Sequence, residues 1–226
     1  MLLWRTYQLA NVEDIHGKDG LTLAKRLYQE DFSRLNPSRT FEAWWKDTLV
    51  NPFFVSNYHW SYLELLQILE AAGCQVYSTS PKWTKIDNFS WYKNFSDLAS
   101  RHQQFKDNWS QALPFFLTGL APKNTSAVKA SPEVIDAVVK MVQQMSDYTL
   151  SLTESIEDIN YPLVMDNYLQ NIDDERIIAF NTDMKHLYTA IKDSSLEDLI
   201  STYHNSQWLR QLWGSAYQYF CFSKVA

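Results

Sequence analysis

The chain has 226 residues, of which 46% are apolar and 15% aromatic, with nine Trp, thirteen Tyr and twelve Phe; this is enough to bury a core, and it excludes intrinsic disorder. A formal charge of −6 gives no basic field to neutralise phosphates, so nucleic acid is not an expected partner. No run reaches the apolar length of a membrane span, and Cys74 and Cys221 stand far apart with no CxxC, which argues for reduced, buried thiols rather than a disulfide or a Cys-type zinc site.

The opening MLLWRTYQLANVEDIHG has one Arg, no long apolar stretch and no cleavage pattern, so it does not read as a signal peptide, and a cytoplasmic location is the expectation. Residues 2 to 9 fit either a short strand or the opening of a helix. Asp14 to Gly20 reads as a turn. Leu21 to Leu35 follows with apolar residues at helical spacing, stopped by Asn36-Pro37. Ser38 and Thr40 are caps for a helix from Phe41 to Val50 whose apolar face is Phe41, Trp44, Trp45, Thr48 and Leu49. After an aromatic loop, Ser61 and Glu64 form a capping-box pair ahead of the stripe Tyr62, Leu65, Leu66 and Leu69. Gly73 stands where a left-handed C-cap belongs, and Cys74, Val76 and Tyr77 begin a strand that ends at Pro81.

Helical spacing returns through Leu98, His102, Phe105 and Trp109. Residues 123 to 130, KNTSAVKA, are the most linker-like in the chain and divide a mixed helix and strand region, 1–122, from a helical region, 123–226. Ser131-Pro132-Glu133 opens the longest helix, with a Val and Met stripe running from Val134 to Ile156. A shorter helix follows Pro162. Asp173-Asp174-Glu175 starts another that carries Ile177, Ile178, Met184, Leu187 and Ile191, with acids suited to its positive end. Ser194 and Ser195 cap a last helix through Leu212, and SAYQYFCFSKVA ends the chain as an aromatic strand. The fold class is therefore mainly α with a small β element, seven or eight helices with two or three short strands.

Three runs carry a family resemblance: Asp47-Thr48-Leu49-Val50-Asn51-Pro52, then Trp60-Ser61-Tyr62-Leu63-Glu64-Leu65-Leu66, then Leu69-Glu70-Ala71-Ala72-Gly73-Cys74-Gln75-Val76. Together they are similar to the C-terminal part of some class I S-adenosylmethionine-dependent methyltransferases, in which a D-x-L-x-x-P stretch precedes a helix ending in Ala-Gly that leads into the sixth strand. The run from Leu212-Trp213-Gly214 to Phe220-Cys221-Phe222-Ser223-Lys224 resembles the last strand of the same sheet. The likeness covers about a third of the chain.

The chain departs from that family at the cofactor. Gly17, Gly20, Gly73, Gly119 and Gly214 make no GxG pair, and the glycine-rich turn that holds the cofactor has no counterpart. The resemblance thus implies an accessory, substrate-facing part of a methyltransferase-like protein. Such a part binds no S-adenosylmethionine by itself and meets the cofactor through a Rossmann-type partner or domain.

His59 sits among Tyr58, Trp60 and Tyr62, where a base or stacking ring can meet a planar substrate; packing at a helix start is the plainer role. Tyr58, His59, Trp60, Trp91 and Tyr92 are the candidate substrate-binding residues. The same aromatic richness also suits a non-catalytic helical ligand-binding protein or a homo-oligomer, in which these rings belong to a core or an interface. A helical metal-dependent oxidoreductase is a third reading, resting on one Glu-x-x-His spacing at Glu13 and His16 where a di-iron site needs two. Nucleophilic-serine and phosphate-loop motifs are absent from the sequence.

Overall fold

The computed structural model describes residues 1–51, 62–80, 99–100, 102–103, 105–106, 131–151, 159–169, 172–212 and 219–224. Among them the architecture is mainly α with a small β element: nine α-helices and one two-stranded antiparallel sheet.

Helix α1 (Leu2–Leu9) settles the ambiguous opening as helix, because Leu3, Thr6 and Tyr7 fall on one buried face and the buried Thr6 hydroxyl donates to the Leu2 carbonyl at 2.9 Å. Helix α2 (Lys18–Arg34) begins three residues earlier than the spacing predicts, inside the expected turn. Gly20 is the reason. An added Cβ there would stand 2.4 Å from the Ile15 carbonyl oxygen, so only glycine lets the helix start against that backbone. Tyr7 crosses to the same place, donating its hydroxyl to the Gly20 carbonyl at 3.1 Å.

Helix α3 (Phe41–Trp44) is capped by Thr40, which accepts from the Ala43 amide at 3.2 Å. It then widens into a π-helical turn, Trp45–Leu49, in which the Val50 amide reaches the Trp45 carbonyl. Trp45 is 1% exposed and donates Nε1–H to the Tyr7 hydroxyl at 2.9 Å. The first core lies here: Tyr7, Leu27, Phe32, Phe41, Trp45 and Val50 meet Leu187, Ala190, Ile191, Leu199, Ile200 and Tyr203 from the far end of the sequence.

Helix α4 (Tyr62–Ala71) runs through Gly73, whose φ of +72° is the left-handed end that the sequence predicts, into strand β1 (Cys74–Ser80). The Cys74 thiol is half-buried rather than buried.

Helix α5 (Pro132–Ser151) starts at Ser131-Pro132 as expected, and Val138, Met141 and Tyr148 line its buried side; Val142, on the predicted stripe, is 47% exposed. Helix α6 (Tyr161–Leu169) buries Tyr161, Met165 and Tyr168. Helix α7 (Glu175–Asp193) is capped by Asp174, which accepts from the Arg176 amide at 3.0 Å. Its Leu187, Ala190 and Ile191 enter the first core. Tyr188 enters a second core with Val138, Met141, Tyr148, Ile159, Tyr161, Met165 and Tyr168, so α7 serves both.

The last predicted helix is in fact two. Helix α8 (Leu196–Asn205), capped by Ser195, breaks at Ser206, and α9 (Gln207–Leu212) restarts because Asp183 on α7 accepts from the Trp208 and Leu209 amides at 2.7 and 3.2 Å. Strand β2 (Tyr219–Lys224) pairs antiparallel with β1, Cys74 facing Lys224 and Val76 facing Phe222, with a bulge between Val76 and Ser78. The predicted linker, 123–130, lies outside the described residues.

Candidate functional site

The five predicted substrate-binding residues, Tyr58, His59, Trp60, Trp91 and Tyr92, all lie outside the described residues, as does the cap residue Ser61. In sequence they flank α4 and β1. The described part of the candidate site is therefore this unit and what holds it.

His102 holds it. The residue is 8% exposed, and its ring bridges the helix and the strand. Nδ1 accepts the Val76 amide hydrogen at 3.1 Å, while Nε2 lies 2.7 Å from Glu70 Oε1. An imidazole that accepts at Nδ1 carries its proton on Nε2, so the hydrogen bonds assign the tautomer, with Nε2–H donating to the carboxylate. Lys106 Nζ reaches the same carboxylate oxygen at 2.7 Å. The Lys106 hydrogen bond, and after it that of His102, hold the Glu70 carboxyl below the usual carboxylate range, against the smaller opposing effect of burial. In the sequence, His102 stands out only as one member of a helical stripe. Its partners stand 32 and 26 residues away, and nothing local signals them.

A second polar cluster sits inside the first core. Asp31 on α2 has a fully buried side chain and accepts from the Tyr203 hydroxyl at 2.7 Å, from Arg210 Nε at 3.1 and 3.2 Å, and from Arg34. Arg210 Nη2 lies 2.7 Å from Glu30, and Nη1 donates to the His204 carbonyl at 3.0 Å. Burial first, then the neighbouring Tyr28 and Asp31, push the Tyr203 hydroxyl far above the ordinary tyrosine range. This cluster joins α2, α8 and α9; the Asp31 carboxylate, the Tyr203 hydroxyl and Arg210 Nε and Nη1 are hydrogen-bonded within the chain, while Arg210 Nη2 lies beside Glu30 without completing a hydrogen bond.

The Glu13 and His16 pair that motivated the metal reading lies in the α1–α2 turn. There Asp14 Oδ1 accepts from the His16 amide at 2.9 Å, which shapes the turn. Among the described residues no three His, Cys, Asp or Glu side chains converge as metal ligands. An open groove of about 400 Å³ runs between α7 and α8, lined by Asp183, His186, Thr189, Thr202, Asn205 and Ser206. Its Asp183 is committed to the start of α9, and its Thr189 and Ser206 hydroxyls donate to carbonyls one turn back. No described helix is long and apolar enough to cross a membrane.

No protein-family model, characterised protein or solved structure matches the chain.

Proposed function

We propose that the chain is the accessory, substrate-facing part of a methyltransferase-like protein, acting with a Rossmann-type domain or subunit that holds S-adenosylmethionine. The reading is supported above all by the pairing of β1 with β2: the helix, glycine and strand unit and the final strand, which the resemblance assigns to one sheet, are neighbours in one sheet.

The described glycines do not fit the cofactor. Gly17 precedes α2, Gly20 lies within its first turn, and Gly73 closes α4. None follows a strand to open a helix, which is the geometry that brings a backbone close to a nucleotide. The cofactor is accordingly assigned to the partner, and this chain supplies a wall for a planar substrate: Tyr58, His59 and Trp60 before α4, and Trp91 and Tyr92 after β1.

The test is purification of the tagged chain from its native cells, with intact-complex mass spectrometry and transfer of labelled methyl groups. The expected result is a stoichiometric partner with a glycine-rich cofactor turn, and methyl transfer that falls at least about tenfold with Trp91→Ala while the complex stays assembled. Recovery of the chain only as a homo-oligomer would overturn the proposal and leave the helical oligomerisation protein as the better account.

A further inference from the structure

Strand β1 is held from the side by a group that can change charge. Its Val76 amide faces away from β2 and donates to His102 Nδ1, the only acceptor position that a neutral imidazole keeps once Nε2–H is committed to Glu70. From this we propose that His102 is a proton-sensitive pin: while neutral it ties β1 to α4, and a second proton, on Nδ1, releases the strand.

An imidazolium has two N–H donors and no acceptor. With Nδ1 protonated, the Val76 amide faces another N–H, and a bridge becomes a repulsive contact. The charged groups at the ring, among the described residues, are Glu70 from α4 and Lys106 from the neighbouring turn; β1 presents its amide. Glu70 keeps its attraction for the imidazolium, so the ring remains a partner of α4 and loses β1 alone. The change is directional. The bulge just beyond Val76 gives the strand a place to yield, and β1 leads in sequence straight into the segment that carries Trp91 and Tyr92. This inference does not depend on the methyltransferase reading.

The experiment uses the full chain labelled with nitrogen-15. Long-range proton–nitrogen spectra should give His102 as the Nε2–H tautomer at neutral pH. Amide exchange should then show Val76 protection falling about five- to tenfold, the worth of one ordinary hydrogen bond, as His102 gains its second proton. In His102→Asn, whose amide oxygen can stand near the place of Nδ1, Val76 should stay protected with no such pH dependence. An Nδ1–H tautomer at neutral pH, Val76 protection that is unchanged through protonation, or the same pH dependence in His102→Asn would each overturn the pin. If the variant fails to fold, the tautomer and the wild-type exchange decide the matter.

Discussion

Tyr203 on α8 donates its hydroxyl to Asp31 Oδ2 on α2 at 2.7 Å, at a carboxylate with no solvent exposure. Two elements 172 residues apart in sequence are thus joined through one buried charge, which Arg210 balances. Removing the carboxylate leaves a nearly buried guanidinium with only the exposed Glu30 as counter-charge. Asp31→Ala should therefore cost about 3–5 kcal/mol and Tyr203→Phe about 1.5–3 kcal/mol, by urea unfolding. Equal effects for the two would mean that the charge pair contributes no more than the tyrosine hydrogen bond.

The second core contains the opposite case. Tyr168 is 4% exposed, and its hydroxyl has no hydrogen-bond partner, whereas the Tyr148 hydroxyl donates to Gln8 at 2.7 Å. Tyr168→Phe should be neutral or raise stability by about 1 kcal/mol, and Tyr148→Phe should lower it by about 1 kcal/mol. Thermal unfolding of both variants checks the sign. A clear loss in Tyr168→Phe would mean that its hydroxyl meets a partner such as ordered water.

Two glycines are sensitive for different reasons. At Gly73 nothing stands within 4 Å of an added Cβ, but φ is +72°, so Gly73→Ala should cost about 1 kcal/mol, the backbone term alone. At Gly20 the clash is with the Ile15 backbone at 2.4 Å, and Gly20→Ala should cost about 1–3 kcal/mol and disturb the Tyr7 to Trp45 hydrogen bond. Tryptophan fluorescence at Trp45 separates the two. Only the Gly20 variant should shift it.

Burial pushes the Tyr7 hydroxyl up from 10.0 to about 12, against the lowering effect of its Trp45 hydrogen bond, and Tyr28, Tyr161, Tyr168 and Tyr203 are pushed further in the same direction. A raised folded-state value means that the folded form holds the proton more tightly. The stability from these groups is complete below about pH 10 and is lost as pH rises towards 12 and beyond. Tyrosinate absorbance should therefore rise together with loss of helix. Early, independent titration of all thirteen tyrosines would contradict the packing.

Local chemistry made much of this fold legible. Asn36-Pro37, Ser131-Pro132, Ser195 and Gly73 marked real helix ends, because each acts within a few residues of itself. What stayed hidden depends on distant partners. The break at Ser206 is set by Asp183 on another helix, and the early start of α2 by a close backbone approach at Gly20. Ile178 and Val142 lay on predicted apolar stripes yet are about half exposed, since periodicity gives a helix's apolar side but not how much of it a neighbour covers. The predicted aromatic site residues lie outside the described residues, while His102, which joins α4 to β1, gave no sequence signal beyond its place in a helical stripe.

We propose a division of labour between this chain and a cofactor-binding partner. Calorimetric titration of S-adenosylmethionine into the purified chain, and then into its complex with the co-purified partner, tests it most directly. The account predicts no heat of binding for the chain alone and saturable binding, at one site per complex, once the partner is present. Tight binding of S-adenosylmethionine by the chain alone would contradict it.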